Sequence, residues 1–274
     1  MQRMIAMTKI LTDSQFTHIQ NLVESYTGIY LPNSKRGIVE NRLQSRLTYR
    51  QCQSFEEYLI TLTDRSENGE FLSFIDKMTT HETSFFREAY QFDALRDLLI
   101  SSRQSNPISV WSAACSTGEE VYTLAMVLQD AIGKGAWSVL GTDISDLAIQ
   151  KSKLCNYDLS AAEKIPSSYR RAYCLKGVGT YSDHFTLVPA LKKYCDFRTQ
   201  SLLTPVGSEL YEVIFLRNVL IYFSHEKQQR IVGNIINALK INGLLFLGHS
   251  ENILRDNPKV ELVDNCIYRK VAHE

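Results

Sequence analysis

A run of small residues lies where a predicted strand passes into a predicted helix. Residues 113–118 read Ala-Ala-Cys-Ser-Thr-Gly, at the end of the apolar stretch 108–113. Small side chains let a ligand approach the backbone, and the first turn of a helix offers free N–H groups. Loops of this composition also occur for packing alone, so this segment leaves both interpretations open.

The positions of two carboxylates favour the interpretation of this loop as part of a ligand site. Glu120 lies just inside the predicted helix, and Asp143 ends the next predicted strand, 25 residues after Gly118. In dinucleotide-binding folds an acid about 20 residues beyond the glycine-rich turn binds the ribose hydroxyls. Asp143 could instead cap the helix that begins near Asp146. Strand, loop, helix, strand and acid together predict an adenosine-containing cofactor, with NAD and S-adenosylmethionine both open on this ground.

Residues 78–88, MTTHETSFFRE, have an unusual composition. Four hydroxyl side chains lie beside Phe85, Phe86 and Arg87, which suits a partly closed polar site. A helix cap with a buried aromatic pair would explain the phenylalanines but not the arginine.

A second polar group is predicted in RNVLIYF, residues 217–223. Asn218 and Tyr222 follow a buried strand, and polar groups at that place face a ligand or form a turn. Both roles are open for Asn218.

Four helices are predicted before residue 80. Gly28 is placed to end the first, and Ser54 with Glu57 has the spacing of a capping box. The helices follow from apolar residues at helical spacing, namely Phe16, Ile19, Val23 and Tyr26; Val39, Leu43 and Leu47; Tyr58, Leu59 and Leu62; and Phe71, Phe74, Ile75 and Met78. We therefore expect a helical domain over residues 1–80.

From about residue 107 short apolar runs alternate with amphipathic ones, which predicts a mostly parallel sheet in an α/β domain spanning residues 81–274. Residues 173–203 interrupt the pattern: HFTLVPAL and KKYCDFRTQSLL are predicted as antiparallel strands of an insert, after Gly177 and Gly179. The other strands are expected at 108–113, 137–143, from 211, and at 243–251, and the helices at 118–132, 145–154 and 225–240.

Composition argues against several classes of protein. The 274 residues include 30 Lys and Arg against 30 Asp and Glu, and a net charge of zero argues against a dedicated nucleic-acid binder. No apolar stretch reaches the roughly 20 residues that span a bilayer, and the N-terminus lacks the apolar core of a signal peptide. Six cysteines without CxxC and six histidines without HExxH predict reduced thiols and no metal site. We expect a soluble cytoplasmic protein.

Five segments, in this order, resemble those of the chemotaxis receptor methyltransferases, the CheR family: MTTHETSFFRE, WSAACSTGEEVY, LGTDIS, FLRNVLIYF and GLLFLGHSE. The resemblance covers nearly the whole chain, including YTGIYL and KRGIVENRL near the N-terminus. It implies a Rossmann-like S-adenosylmethionine-dependent methyltransferase domain with a small antiparallel β insert, preceded by an all-α receptor-docking domain. The implied activity is methylation of chemoreceptor glutamates to methyl esters, with S-adenosylhomocysteine as the other product, for adaptation in bacterial chemotaxis.

The resemblance also implies the site residues. Arg87 and Tyr222 are the expected substrate-positioning pair, and no metal is expected. His81 and Ser201 stand where Asn is common in the family. A glutamate carboxylate is already ionised at neutral pH, so in-line alignment and desolvation are expected to suffice without a general base. Cofactor contacts are expected at His81, Thr83, Arg87, Glu120, Asp143, Ser201, Leu202, Arg217 and Asn218.

Receptor docking is expected at two places. Arg42, Arg46 and Arg50 share one helix face, within a stretch of five basic residues against Glu40 alone. Such stripes are commonly solvated faces, but in the family this helix meets an acidic receptor helix. The β insert is similar to that of members that bind the receptor's C-terminal pentapeptide by strand addition. A monomer is expected.

Three alternatives stay open beside this prediction. The first is a methyltransferase of the same fold that acts on a small molecule or on another protein, because function lies in the site and not in the fold. The second is a receptor-binding adaptor without turnover. An NAD dehydrogenase comes third, since no residue suggests itself for hydride transfer and the small-residue loop lacks GxGxxG. Which receptor and which glutamates are modified cannot be read from the sequence.

Overall fold

The computed structural model describes residues 10–63, 68–102, 107–133, 135, 137–208 and 210–271. The chain divides into two compact units, residues 1–80 and 81–274. Within the described ranges no helix is long and apolar enough to cross a membrane.

The N-terminal unit is all-α, as the four apolar patterns predict. Gly28 ends the first helix in the left-handed region, with φ of 79°. Only half of the predicted capping box forms: the Ser54 hydroxyl accepts the Glu57 N–H at 3.2 Å, but the Glu57 carboxylate accepts the N–H of Gln53. The helices are α1 (Asp13–Thr27), α2 (Arg36–Tyr49), α3 (Phe55–Thr63) and α4 (Asn68–Met78).

The C-terminal unit alternates strands and helices, which confirms the predicted α/β fold. The sequence patterns did not predict the helices Tyr90–Ser102 and Ser167–Tyr173 or the strands Val260–Asp264 and Ile267–Lys270. The end of HFTLVPAL, predicted as a strand, forms a short helix instead, because Pro189 begins a helical turn there. The elements are α5 (Tyr90–Ser102), β1 (Ile108–Ala113), α6 (Glu119–Ile132), β2 (Trp137–Asp143), α7 (Asp146–Leu154), β3 (Tyr157–Asp158), α8 (Ser167–Tyr173), β4 (Cys174–Lys176), β5 (His184–Leu187), α9 (Pro189–Lys192), β6 (Cys195–Thr199), β7 (Tyr211–Leu216), α10 (His225–Ala238), β8 (Leu239–Leu247), β9 (Val260–Asp264) and β10 (Ile267–Lys270).

A seven-stranded sheet has the order β6-β2-β1-β7-β8-β10-β9. The strands from β6 to β8 pair in parallel, and β10 is antiparallel to both of its neighbours. The chain order changes direction at β1, where Ala113 lies opposite Thr142 of β2 and Leu216 of β7. The loops after β1, β2 and β7 therefore meet at one edge of the sheet, where open α/β sheets bind ligands.

Close packing of α6 against the sheet holds this edge in place. All residues from Val121 to Leu128 are buried. A Cβ on Gly141 of β2 would lie 2.7 Å from Val121 Cγ2 and 3.0 Å from Cys115 Sγ, so only glycine fits between strand and helix. Phe215 stacks on Phe246 with ring centroids 4.3 Å apart, which joins β7 to β8.

The prediction for residues 173–203 was partly wrong. The small antiparallel sheet has the order β3-β5-β4 and begins at Tyr157. KKYCDFRTQSLL contains β6, which pairs in parallel with β2 as the edge of the main sheet. Of its residues only Phe197 is buried. An edge strand is less completely covered than a central parallel strand, so its pattern is similar to that of an antiparallel strand.

The predicted boundary between the helix at 225–240 and the strand that follows it was also wrong. α10 ends at Ala238 and β8 begins at Leu239, not at residue 243. Asn242 has φ of 64°, close to where the pairing of β7 with β8 shifts. Asn-Gly commonly marks a turn, but here the pair accommodates an irregularity within the strand.

Candidate active site

Asp143 ends β2 with a carboxylate that is almost fully buried. Its Oδ2 accepts the Ser116 N–H at 2.8 Å and its Oδ1 accepts the Ser145 N–H at 2.9 Å. Burial raises the pKa of Asp143, although these N–H groups and the nearby His81 act in the opposite direction. Ser145, whose hydroxyl accepts the Ala148 N–H, caps α7. The alternative interpretation of Asp143 as that cap is therefore wrong.

The loop after β1 has a strained backbone. Ala114 and Ser116 have φ of 68° and 51°, and Gly118 has φ of 96°. Left-handed non-glycine residues cost roughly 1–3 kcal/mol each and cluster at ligand sites. The loop turns the Ser116 N–H towards Asp143, and the Ser116 hydroxyl lies 3.4 Å from His81 Nδ1. Ser116 thus contacts both His81 and Asp143, two of the predicted cofactor residues.

Arg217 forms the centre of a buried charge cluster. Its Nη1 donates to Glu120 Oε2 at 3.2 Å, and its Nη2 lies 3.3 Å from Glu88 Oε2. Nη2 also donates to the Arg87 carbonyl at 2.6 Å, and the Ser112 hydroxyl donates to Glu120 Oε1 at 2.7 Å. Burial is the largest effect on Glu120 and raises its pKa, whereas the charge of Arg217 lowers it.

Arg87 lies in a segment with a constrained backbone. Its neighbours Phe86 and Glu88 have φ of 53° and 57°. The Phe86 N–H donates to Thr123 Oγ1 of α6 at 3.2 Å, and Arg87 Nη1 donates to the Glu82 carbonyl at 2.5 Å. The segment is therefore attached to α6, and Arg87 as a whole residue is half-buried.

Asn218 follows β7 in the left-handed region, with φ of 56°. Its Nδ2 donates to Glu88 Oε1 at 3.2 Å, which adds it to the cluster around Arg217. Tyr222 closes a short 3-10 turn, Leu220–Tyr222, and its N–H donates to the Val219 carbonyl. Asn218 thus lies in a turn, one of the two roles left open for it, and its side chain also contacts Glu88.

Three further predicted residues lie in nearby loops. Thr83 is half-buried within residues 78–88. Ser201 and Leu202 follow β6; the Ser201 hydroxyl accepts the Leu203 N–H, and the Leu202 carbonyl accepts from Asn234 of α10. These contacts hold the loops and do not join the three residues to the cluster around Arg217.

Glu88 and Glu251 were missed by the sequence reasoning. Glu88 bridges Arg217 and Asn218, and Glu251 is a buried carboxylate that accepts backbone N–H groups from the turn after β7. Each is the last residue of a segment that carries the family resemblance, and that position was the available signal.

The basic stripe of α2 makes contacts inside the helical unit. Arg46 binds the buried carboxylate of Glu70 through both Nε and Nη2, and the Tyr58 hydroxyl donates to the same carboxylate at 2.8 Å. Arg50 Nε lies 3.9 Å from Glu70. Arg42 donates to three carbonyl oxygens at the end of α4, at 3.1 to 3.3 Å. The stripe therefore has a structural role that the sequence did not indicate.

The groups at the sheet edge fit an adenosine joined to an amino acid. Asp143 suits ribose hydroxyls, Glu120 suits an ammonium group, and the two arginines, Arg87 and Arg217, suit a carboxylate. Arg217 Nε is buried without a hydrogen-bond partner in the part of the chain that is described. NAD carries no amino-acid group, so this set of donors and acceptors favours S-adenosylmethionine. In the same described ranges no group of three or more His, Cys, Asp or Glu side chains could hold a metal ion.

Comparison with known proteins agrees with this assignment. The family profile "CheR methyltransferase, all-alpha domain" matches residues 14–79, and "CheR methyltransferase, SAM binding domain" matches residues 81–268. The chemotaxis protein methyltransferase of Escherichia coli (strain K12) is 36% identical over 264 residues, which cover 94% of this chain and 91% of that protein. Chemotaxis protein methyltransferase 2 of Pseudomonas aeruginosa is 34% identical over 263 residues, covering 94% and 93%. The chain therefore belongs to the CheR methyltransferase family and is an S-adenosylmethionine-dependent methyltransferase.

Proposed function

We propose that this enzyme methylates glutamate side chains on the signalling helices of chemoreceptors, for adaptation in chemotaxis. Relatives named as chemotaxis protein methyltransferases support this class of substrate. The observation that carries the proposal is the buried Asp143 beside the cluster of Glu120 and Arg217, at the edge where β1, β2 and β7 end. The proposal places the enzyme in the cytoplasm as a monomer.

In this proposal the cofactor is held by residues from five segments of the chain. Asp143 binds the ribose, and Glu120, Arg217 and Asn218 bind the amino-acid end. His81, Thr83, Ser201 and Leu202 complete the site. S-adenosylmethionine supplies a methyl group that its sulfonium already activates. The protein therefore has to bind, orient and exclude water, and no metal takes part.

The substrate glutamate arrives already ionised, because its reference pKa is about 4.3. No general base is needed. Arg87 holds a carboxylate by a charge-assisted contact, and the Tyr222 hydroxyl orients the attacking oxygen. The hydrogen bond from Arg87 to the Glu82 carbonyl supports a positioning role, because it fixes the guanidinium before substrate binds. A full ion pair with the attacking oxygen would reduce its nucleophilicity.

Docking of the receptor uses the basic face of α2 in this proposal. Arg42, Arg46 and Arg50 have structural contacts, but all three remain partly exposed. Lys35 lies just before this helix and is exposed. Such a face steers an acidic receptor helix and gives the association rate a dependence on salt.

The small antiparallel sheet is the proposed site for the receptor's C-terminal pentapeptide. β4 is an edge strand of that sheet, and an edge offers unpaired backbone groups for strand addition. Leu175, Val178 and Tyr181 are exposed beside it. A Cβ on Gly177 would collide with the Tyr181 carbonyl oxygen, so this turn depends on glycine.

Methylation of a purified chemoreceptor, followed by mass spectrometry, tests both substrate and docking. We expect methyl groups on glutamates of the signalling helix and a slower reaction when the last five receptor residues are removed. Gly177→Ala should remove the difference between full-length and shortened receptor. Methyl groups only on other residue types would contradict the glutamate assignment, and equal rates on both receptors would contradict the pentapeptide site.

A further inference from the structure

Glu251 is a buried residue, only 4% exposed. Its carboxylate accepts hydrogen bonds from four backbone N–H groups. Oε1 accepts those of Val219 and Leu220, both at 2.8 Å. Oε2 accepts those of Gly248 at 2.8 Å and Asn218 at 3.0 Å. Hydrogen bonds to an ionised acceptor are roughly twice as strong as neutral ones. One side chain therefore fixes four points of the backbone.

These four points belong to two neighbouring strand ends. Asn218, Val219 and Leu220 follow β7, and Gly248 follows β8, which pairs with β7 in parallel. Leu216 and Leu247, the last residues of the two strands, lie opposite each other. Glu251 thus joins the two carboxyl ends at the edge of the sheet that carries the candidate active site.

The joined segment is the turn that carries two predicted site residues. Asn218 is held with φ of 56°, and its side chain donates to Glu88. Tyr222 ends the 3-10 turn, whose first N–H group, that of Leu220, is bound by Glu251. Loss of the carboxylate would leave three successive N–H groups of this turn without their acceptor.

The surrounding residues support the same geometry. A Cβ on Gly248 would lie 2.7 Å from the Asn218 nitrogen and 2.8 Å from Glu251 Oε2, so the contact requires glycine here. From the other side, Gln228 of α10 donates to the carbonyls of Leu220 and Phe223 at 2.8 and 3.1 Å. The turn is therefore held from both sides, by the carboxylate of Glu251 on one side and by the side-chain amide of Gln228 on the other.

We propose that Glu251 is a positioning residue for methyl transfer, which fixes the turn of residues 217–222 so that Asn218 and Tyr222 are held for the reaction. This inference rests on the proposed function. Glu251 acts through the turn and does not contact the reacting groups. Of the proposed cofactor residues, Asp143 and Glu120 belong to β2 and α6 and do not depend on it, whereas Asn218 lies in the turn that it holds.

Glu251→Gln tests the proposal, with Glu261→Gln as a matched change on the exposed edge strand β9. An amide accepts through one oxygen and turns an NH₂ group towards N–H donors. We expect kcat for receptor methylation to fall on the order of 10²-fold, the scale of a small misplacement of reacting groups. The dissociation constant for S-adenosylhomocysteine should rise by a much smaller factor, because Asn218 is only one of the proposed cofactor contacts. Glu251→Asp, which keeps the charge, should recover part of kcat.

Hydrogen exchange of the amides supplies a readout that does not need the receptor. In Glu251→Gln the amides of residues 218–220 and 248 should exchange faster than in the wild type, with the amides of β1 and β2 unchanged. If this variant does not fold, Gly248→Ala gives the same test of the contact.

Unchanged kcat, an equal loss in kcat and in cofactor affinity, or unchanged exchange at residues 218–220 would each overturn the proposal. A different result would contradict the proposed function instead: the amides of residues 218–220 and 248 exchange more slowly in the wild type than in Glu251→Gln, but the wild type does not methylate receptors.

Discussion

The guanidinium of Arg217 donates to the carboxylate of Glu120 at 3.2 Å and so joins the end of β7 to the first turn of α6. Their side chains are 2% and 15% exposed. The bond crosses the point where the strand order changes direction, because β7 lies on one side of β1 and α6 is the helix that follows β1. It therefore connects the two halves of the candidate active site.

Arg217→Met should lower the free energy of unfolding by about 3–5 kcal/mol, because it leaves two buried carboxylates without their cation. Urea unfolding measures the change. Arg269→Met is the control, since its ion pair with Glu261 is exposed and such pairs contribute about 0–1 kcal/mol. Equal effects of the two substitutions would show that the buried ion pairs of Arg217 contribute no more to stability than an exposed ion pair does.

Glu120→Gln should change the pH dependence of stability. Burial raises the pKa of Glu120 above 4.5, so between 4.5 and the raised value the folded chain holds this proton more tightly than the unfolded chain does. The wild type therefore loses stability as pH rises through that range. The variant lacks this loss, so its free energy of unfolding relative to the wild type should rise with pH and then level off.

Urea unfolding of both proteins at a series of pH values from 4.5 upward measures this difference. Asp143 and Glu119, whose pKa values burial also raises, titrate in both proteins and cancel. A difference that falls with pH would mean that the charge of Arg217 outweighs burial.

Arg46→Glu should unfold the helical unit, because it places a second acid against the buried Glu70 and the hydroxyl of Tyr58 has lost its cationic neighbour. We expect a loss of at least about 3 kcal/mol, the scale of a broken buried pair. Lys35→Glu makes the same charge reversal on the exposed part of the face. It should slow receptor methylation at low salt and leave the helix content by circular dichroism unchanged. Normal methylation by Lys35→Glu would argue against docking through this face.

Arg87→Ala should reduce methyl transfer more than cofactor binding. The side chain is proposed to orient a carboxylate at the reaction, and its backbone carbonyl, which accepts from Arg217, remains in the variant. Titration with S-adenosylhomocysteine and the rate of receptor methylation give the two quantities. Equal losses in both would make Arg87 a cofactor ligand alone.

The central strands and the cofactor acid could be predicted from the sequence because the signals are local. β1 and the last three residues of β2 are buried on both faces, both strands have the predicted bounds, and Asp143 stands out as an acid at the end of such a strand. The parallel edge strand β6 could not be recognised, because a strand with little buried surface lacks the continuous apolar run of its neighbours.

The roles of Glu70 and Glu251 could not be predicted, because both depend on contacts between distant residues. Glu70 looks like any surface acid until α2 brings Arg46 beside it. Glu251 accepts its hydrogen bonds from residues 218–220, which lie about 30 positions earlier in the chain. These residues come within reach only when β7 and β8 pair. The spacing of apolar and polar residues near Glu70 and Glu251 does not indicate either contact, although the place of Glu251 at the end of GLLFLGHSE marks it as a candidate.

Transfer of label from methyl-labelled S-adenosylmethionine to receptor-containing membranes tests the account most directly, with Asp143→Ala as the control. The account predicts label that alkali releases as methanol, since carboxyl methyl esters hydrolyse readily, and loss of that label in the variant. Stable label, or equal label with Asp143→Ala, would contradict glutamate methylation through this cofactor site.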